Sequence, residues 1–213
     1  MKKLDLILIA VIVASFVLAA YFYPLMPEQV ASHWNSAGKV DSFMPKLWGA
    51  FLMPVMLAGL FVLFKVIPKI DPLKANIELF RKYYEVLVTL LISFLFYVYL
   101  LTLAWTMGQK FNMTSAIMPA IGILFYGIGV VLETTKRNWF IGIRTPWTLS
   151  SDAVWEKTHK LGSKLFKAIA IIAFLSLFFP GQLLLLVVGP ALLVALYLVV
   201  YSYIEYKKET KSK

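Results

Sequence analysis

The sequence predicts an all-α fold: a polytopic membrane helical bundle of six transmembrane helices, with a short amphipathic surface helix on the cytoplasmic side. Three observations predict it. Apolar residues make up 61% of the 213-residue chain, and mean hydropathy is +0.79. A soluble domain is roughly 45–50% apolar, so too little polar surface remains here to coat a water-soluble fold. Charge is also confined to short segments. Residues 6–23, 47–64, 86–107, 111–132, 168–179 and 182–204 carry no charged side chain. A bilayer core about 30 Å thick takes about 20 helical residues to cross, and five of these six stretches meet or approach that length. The third observation is the uneven distribution of basic residues between the stretches.

With the N-terminus inside and six spans, the inner segments hold 18 of the 21 Lys and Arg residues, and the outer loops hold Lys39, Lys46 and Lys110. Basic residues in short loops stay on the cytoplasmic side. Both termini are therefore expected in the cytoplasm of a multi-pass cell-membrane protein. The same distribution accounts for the net charge of +10: the basic residues set orientation and meet anionic lipid heads. Direct nucleic-acid binding is not expected.

Lys2, Lys3 and the small pair Ala19-Ala20 have the look of a secretory leader. The apolar run between them exceeds the 7–15 residues usual for such a leader, so it reads as the first span. The loop 24–46 follows outside. Pro27 suits the first turn of a short helix towards Trp34, and residues 35–38 form a turn. Trp34, Phe43 and Trp48 are placed at the outer interface, where amphipathic rings are favoured. The inner segment 65–85 contains Pro68 and Pro72, then a surface helix from Leu73 with Ile77, Phe80 and Tyr84 at helical spacing. Lys74 with Glu78, and Arg81 with Glu85, sit four apart on its polar face.

In the fourth span, Pro119, Gly122, Gly127 and Gly129 thin the helix, and Gly189 and Pro190 interrupt the sixth. Small residues let helices approach closely, so packing is preferred over a substrate path. The fifth stretch is short. It spans if it begins near Leu161, with Lys164 and Lys167 reaching back to the headgroups; otherwise it is re-entrant. Pro180, Gly181 and Gln182 make a tight turn into the sixth.

The inner loop 133–164 is the most distinctive segment. Ser150 is a candidate N-cap, and Asp152 suits the first helical turn. Val154, Trp155, Thr158 and Leu161 face one way, Asp152, Glu156, Lys157 and Lys160 the other, and Gly162 ends the turn. This is the expected surface helix. Ahead of it, Gly142 allows close backbone approach and Pro146 forces an extended Thr145. Arg144, with Trp139, Trp147 and Trp155 nearby in sequence, offers a basic aromatic platform. It suits a lipid phosphate, an acidic protein partner or the membrane surface alone.

Catalytic chemistry finds little support. There is no cysteine, hence no disulfide, thiolate metal site or thiol nucleophile. His33 and His159 fall on opposite sides of the membrane in this topology and cannot share a metal. His33 with Asp41 and Glu28 offers a small outside site, but packing beside Trp34 with a bond to the loop backbone is the preferred reading. Ser32, Ser150 and Ser151 lie near histidines in sequence without an orienting third group. No phosphate-cradling or metalloprotease motif is present. No catalytic residue, metal or cofactor is expected. The span interiors lack the ionisable residues that a proton relay uses. A small-solute or lipid-handling transporter is the alternative function, with Tyr97, Tyr99 and Tyr126 either lining a polar seam or bonding between helices.

Residues 142–149, with Asn138 upstream and Trp155, Thr158 and His159 downstream, closely resemble the signature of the SdpI family of membrane immunity proteins. The outside loop, with Pro27, His33, Trp34, Asn35, Gly38 and Asp41, resembles a short domain often fused ahead of that signature. The resemblance covers about a quarter of the chain. It implies a two-part layout: residues 1–80 with two spans and the loop 24–46, then residues 81–213 with four spans and the loop 133–164. It also implies a non-enzymatic role, protection against a secreted membrane-active peptide, with a link to recruitment of a transcriptional repressor to the membrane. Asn138, Gly142, Arg144, Thr145, Pro146, Trp147, Trp155 and His159 are then the candidate binding residues inside.

Overall fold

The computed structural model describes residues 3–35, 37–179 and 182–211. Six helices are long and apolar enough to cross a membrane. They are α1 (Lys3–Phe22), α2 (Lys46–Ile70), α4 (Arg81–Thr106), α5 (Met113–Thr134), α7 (Asp152–Leu175) and α8 (Leu183–Lys211). Two short helices, α3 (Lys74–Leu79) and α6 (Pro146–Ser150), lie in the connections at one end. In the most apolar 18-residue window of each long helix only 17–33% of residues are buried within the protein. Val13, Val17, Val55, Val62, Leu192 and Leu196 are among the large apolar side chains left outside. Water would penalise that surface at about 25 cal/mol per Å², and acyl chains do not. The chain is a multi-pass membrane protein.

The helices form two groups. Leu8, Ile12, Leu57, Tyr84 and Ile92 pack α1, α2 and α4 together. Met118, Ile169, Ala173 and Val187 do the same for α5, α7 and α8. Helix α4 also packs along α5 and so joins the groups. Close approach of α5 and α7 depends on small residues. A Cβ on Gly122 would lie 2.8 Å from the Phe174 ring, and one on Gly129 would lie 2.9 Å from the Ser163 carbonyl.

Prolines in α2 dictate how α4 meets it. A proline within a helix leaves the carbonyl four residues earlier without its N–H partner. Pro54 and Pro68 lie inside α2, and the carbonyls they orphan are those of Ala50 and Phe64. Helix α4 supplies a donor to each. The Tyr99 hydroxyl donates to Ala50 at 3.0 Å, and the Tyr84 hydroxyl donates to Phe64 at 2.6 Å. Tyr97 donates to the Ala116 carbonyl of α5 at 2.9 Å, in the turn before Pro119. Tyr97 and Tyr99 therefore bond between helices, and Tyr126 points outward. The groove between α4 and α5 around Pro119 is lined mainly by apolar side chains.

The structure changes several sequence expectations. The loop after α1 holds no helix towards Trp34; it is an antiparallel hairpin, β1 (Gln29–Trp34) and β2 (Val40–Pro45). Val30 and Ala31 on β1 are buried, and extended backbone places them against the helix ends. The amphipathic surface helix is not a separate element. Helix α7 runs unbroken from Asp152 through Gly162 to Leu175, so the polar face is the first turns of the fifth span. Gly162 ends nothing; a Cβ there would meet the Ile143 side chain at 2.6 Å. Its N-cap is Ser151, not Ser150. The fifth span is consequently 27 residues long when its final turn is included, and not short. Ser36, Pro180 and Gly181, named above in turns, lie outside the described residues.

Candidate functional site

The segment between α5 and α7 is built on Asn138. Its side chain is fully buried. The amide nitrogen donates to the carbonyls of Lys136 and Ile141, both at 2.9 Å, and the amide oxygen accepts from the N–H of Phe140 at 2.9 Å and of Ile141 at 2.6 Å. One carboxamide thus replaces the secondary structure that this loop lacks. Gly142 follows with φ +115°, a conformation only glycine adopts readily, and a Cβ there would collide with Nε2 of His159.

His159 faces that turn from α7. Its Nε2 accepts the Ile143 N–H at 2.9 Å, and its Nδ1 lies 2.8 Å from the Trp155 carbonyl. A carbonyl accepts only, so Nδ1 carries the proton and the ring is neutral. Its ring stacks on Trp155 at 3.9 Å between centroids. Trp155 is buried, and its indole N–H donates to the Thr135 carbonyl at 2.8 Å. Neither residue belongs to an exposed platform.

Thr145 and Pro146 open α6. Thr145 accepts the Thr148 N–H at 3.1 Å, and Thr148 Oγ1 accepts the Thr145 N–H at 2.9 Å, which closes a reciprocal cap. Pro146 occupies the first helical position, where no N–H is needed. Thr145 Oγ1 also lies 2.9 Å from Ser202 Oγ on α8, and Trp147 packs on Tyr203 with centroids 5.0 Å apart. The loop is tied to the first helical group as well. Asp71, buried after α2, accepts the Leu73 N–H at 2.6 Å with one oxygen and the Trp139 N–H at 2.9 Å with the other. Asn76 of α3 donates to the Arg137 carbonyl at 2.7 Å. Arg137 donates to the Leu149 carbonyl at 2.8 Å and pairs with Asp152 at 2.7 Å. Asp71, Asn76, Arg137, Thr148 and Ser202 were not singled out from sequence. Asp71, Asn76 and Ser202 meet the loop 57 or more residues away along the chain, and only Thr148, inside the octapeptide 142–149, carried any signal.

Arg144 and Trp139 remain on the surface. Trp139 is half exposed, and Arg144 donates to the Trp139 carbonyl at 2.7 Å. Among the described residues no carboxylate lies in ion-pair range of Arg144.

At the other end of the bundle stands the hairpin. Asn35 shapes its turn by accepting the N–H groups of Ala37 and Lys39 at 3.0 and 3.1 Å. Gly38 has φ +73° and packs on Asn112, whose Oδ1 a Cβ would meet at 2.5 Å. Asn112 donates to the Ala37 carbonyl at 3.1 Å while capping α5 through the Ser115 N–H at 2.9 Å. The hairpin tip is therefore fixed to the fourth span. Trp34 packs edge-on against Trp105 at 5.8 Å, whereas Phe43 and Trp48 stay exposed. Pro27 lies exposed in the segment before β1. His33 does not bond to the loop backbone as expected: Nδ1 sits 2.5 Å from Asp41 across the strands, with both side chains exposed. Glu28 pairs instead with Lys46 at 2.7 Å. Among the described residues no group of three or more His, Asp or Glu side chains converges.

Six spans, a fixed hairpin at one end and a loop locked by its own side chains at the other define a polytopic helical membrane protein organised around two connections. The sequence model of the SdpI/YfhL protein family matches residues 134–202, and one described as Domain of unknown function (DUF1648) matches residues 10–58. End to end, the chain is 28% identical to Immunity protein SdpI of Bacillus subtilis (strain 168), with 100% of each chain covered. Uncharacterized membrane protein YbgB of the same organism is 35% identical over 46 residues, which is 22% of this chain and 50% of that one. No solved structure matches. The chain is thus a multi-pass membrane protein that carries an SdpI/YfhL segment at residues 134–202 and is similar along its whole length to an SdpI immunity protein.

Proposed function

We propose that this protein confers immunity: it protects the membrane that contains it against a secreted, membrane-active peptide, by binding and without catalysis. The observation that carries this reading is the end-to-end similarity to Immunity protein SdpI. In the proposed orientation both termini face the cytoplasm and the hairpin faces outward, where a secreted peptide arrives. The basis is the distribution of Lys and Arg. The inner loop then presents Arg144 and Trp139 to the cytoplasm. An exposed guanidinium beside an indole suits an acidic surface on a soluble partner, and a transcriptional repressor held at the membrane fits that description.

Expression in cells sensitive to such a peptide tests the proposal. Survival at peptide doses that kill the parent strain is expected. Unchanged killing, with the protein verified in the membrane, contradicts it. If the inner surface only recruits a repressor, Arg144→Ala leaves survival intact and abolishes peptide-dependent derepression of a reporter. Loss of survival in that variant would place Arg144 in protection itself.

A further inference from the structure

A cleft of about 440 Å³ opens beside the locked loop, between α3, the end of α5 and the start of α7. None of the residues given a role in immunity above forms its mouth. Trp155 and His159 make its floor, and every polar atom of those two rings is already engaged within the protein. The walls carry six charged side chains. Of these, Arg137 and Asp152 neutralise each other at 2.7 Å, and Glu133 is held by Lys167 at 2.5 Å. Lys136, Lys160 and Glu156 line the same cleft, are exposed, and make no ion pair within 4 Å among the described residues. Outside close ion pairs the lining thus holds two ammonium groups against one carboxylate, and Lys160 also acts through space on Glu133.

The rim has a different character. Leu79 is 73% exposed at the end of α3 and forms the apolar edge, while Leu132 lines the cleft from α5 as a buried side chain. A cleft that joins two exposed ammonium groups outside any close ion pair to an exposed leucine, at the end of a membrane-spanning bundle, matches a molecule with a phosphate and a hydrocarbon chain. Lysine serves phosphates as a mobile point charge, and basic pockets between spanning helices are a known setting for lipid headgroups.

We propose that this cleft is a phospholipid site, in which Lys136 and Lys160 hold the phosphate and Leu79 meets the start of the acyl chain. The inference is independent of the immunity reading. A bound lipid would also cover Trp155 and His159, and so couple the locked loop to the composition of the bilayer.

Native mass spectrometry of the delipidated full chain in detergent tests the assignment, with phosphatidylglycerol, diacylglycerol and glycerol 3-phosphate as separate probes. Phosphatidylglycerol is expected to give a one-to-one adduct, and the other two at least tenfold less. K136Q/K160Q should weaken the adduct about tenfold. K69Q/K74Q removes the same charge from the same end outside the cleft and should leave it within twofold. Equal losses in the two double variants would reduce the binding to general surface charge and overturn the site. Diacylglycerol binding as well as phosphatidylglycerol would remove the phosphate from the account, and glycerol 3-phosphate binding equally would remove the lipid. Thermal unfolding of each variant, expected to match the parent, separates lost binding from lost fold. An adduct unaffected by K136Q/K160Q also overturns the proposal.

Discussion

At Asn138 a single carboxamide closes a loop with four hydrogen bonds and no exposed surface. Its chemistry is used up inside the protein, and the same holds for Thr145, Thr148, Trp155 and His159. These residues hold the loop in shape, while Arg144 and Trp139 keep exposed surface and are the ones proposed for recognition. Asn138→Ala strands the buried Ile141 carbonyl and N–H and the partly buried Lys136 carbonyl and Phe140 N–H, and each buried unsatisfied group costs roughly 1–3 kcal/mol before relaxation. A net loss of about 3 kcal/mol is expected, read as a lowered unfolding midpoint in detergent. Arg144→Ala, with its one bond at the surface, should stay within about 0.5 kcal/mol of the parent. Equal losses in the two variants would contradict this division of roles. A second test concerns the neutral ring of His159. Its Nε2 must accept the Ile143 N–H, which a protonated ring cannot do. His159→Lys, a permanent donor at that place, should destabilise the loop more than His159→Gln, whose amide oxygen can still accept.

Among the elements, the pairing of α2 with α4 carries the clearest test. Pro54 and Pro68 each free a carbonyl, and Tyr99 and Tyr84 each supply the missing donor. Tyr99→Phe keeps the ring and removes the donor, so it should cost about 1–3 kcal/mol. In a Pro54→Ala background the helix can bond the Ala50 carbonyl itself, and the same substitution should then cost much less. A cost that does not change between backgrounds would sever the link between proline and tyrosine. The elements also show where sequence reading works. Five spans were legible because charge-free runs are a property of composition. The fifth span was obscured because Asp152, Glu156 and Lys160 lie on the first turns of α7, and a helix that leaves the membrane at one end looks like two elements. The hairpin was missed for a different reason. Pairing shifts between Ala31 and His33 and again between His33 and Trp34, which breaks the period-two pattern that identifies a strand. The turn at 35–38 was legible because Asn35 and Gly38 act locally. The octapeptide 142–149 stood out as a pattern, but its structural role depends on Asp71, Asn76 and Ser202, and distance along the chain hides such partners.

For the molecule as a whole, two helical groups joined through α4 and α5 carry one fixed connection at each end. Asn112 ties the hairpin tip to the fourth span, while Asp71 and Asn76 tie the first inner segment to the locked loop. Both ties cross between groups, so the ends are braced against each other through the spans. In the proposed topology the hairpin and the locked loop lie on opposite sides of the membrane. The cysteine-free sequence makes that directly measurable with single cysteines at Lys39, Arg144 and Lys211 and a membrane-impermeant maleimide. Lys39→Cys should label in intact cells, while Arg144→Cys and Lys211→Cys should label only after the membrane is opened. Labelling of Lys39→Cys and Arg144→Cys from the same side would contradict the three crossings between them, and labelling of Arg144→Cys and Lys211→Cys from opposite sides would contradict the fifth and sixth spans.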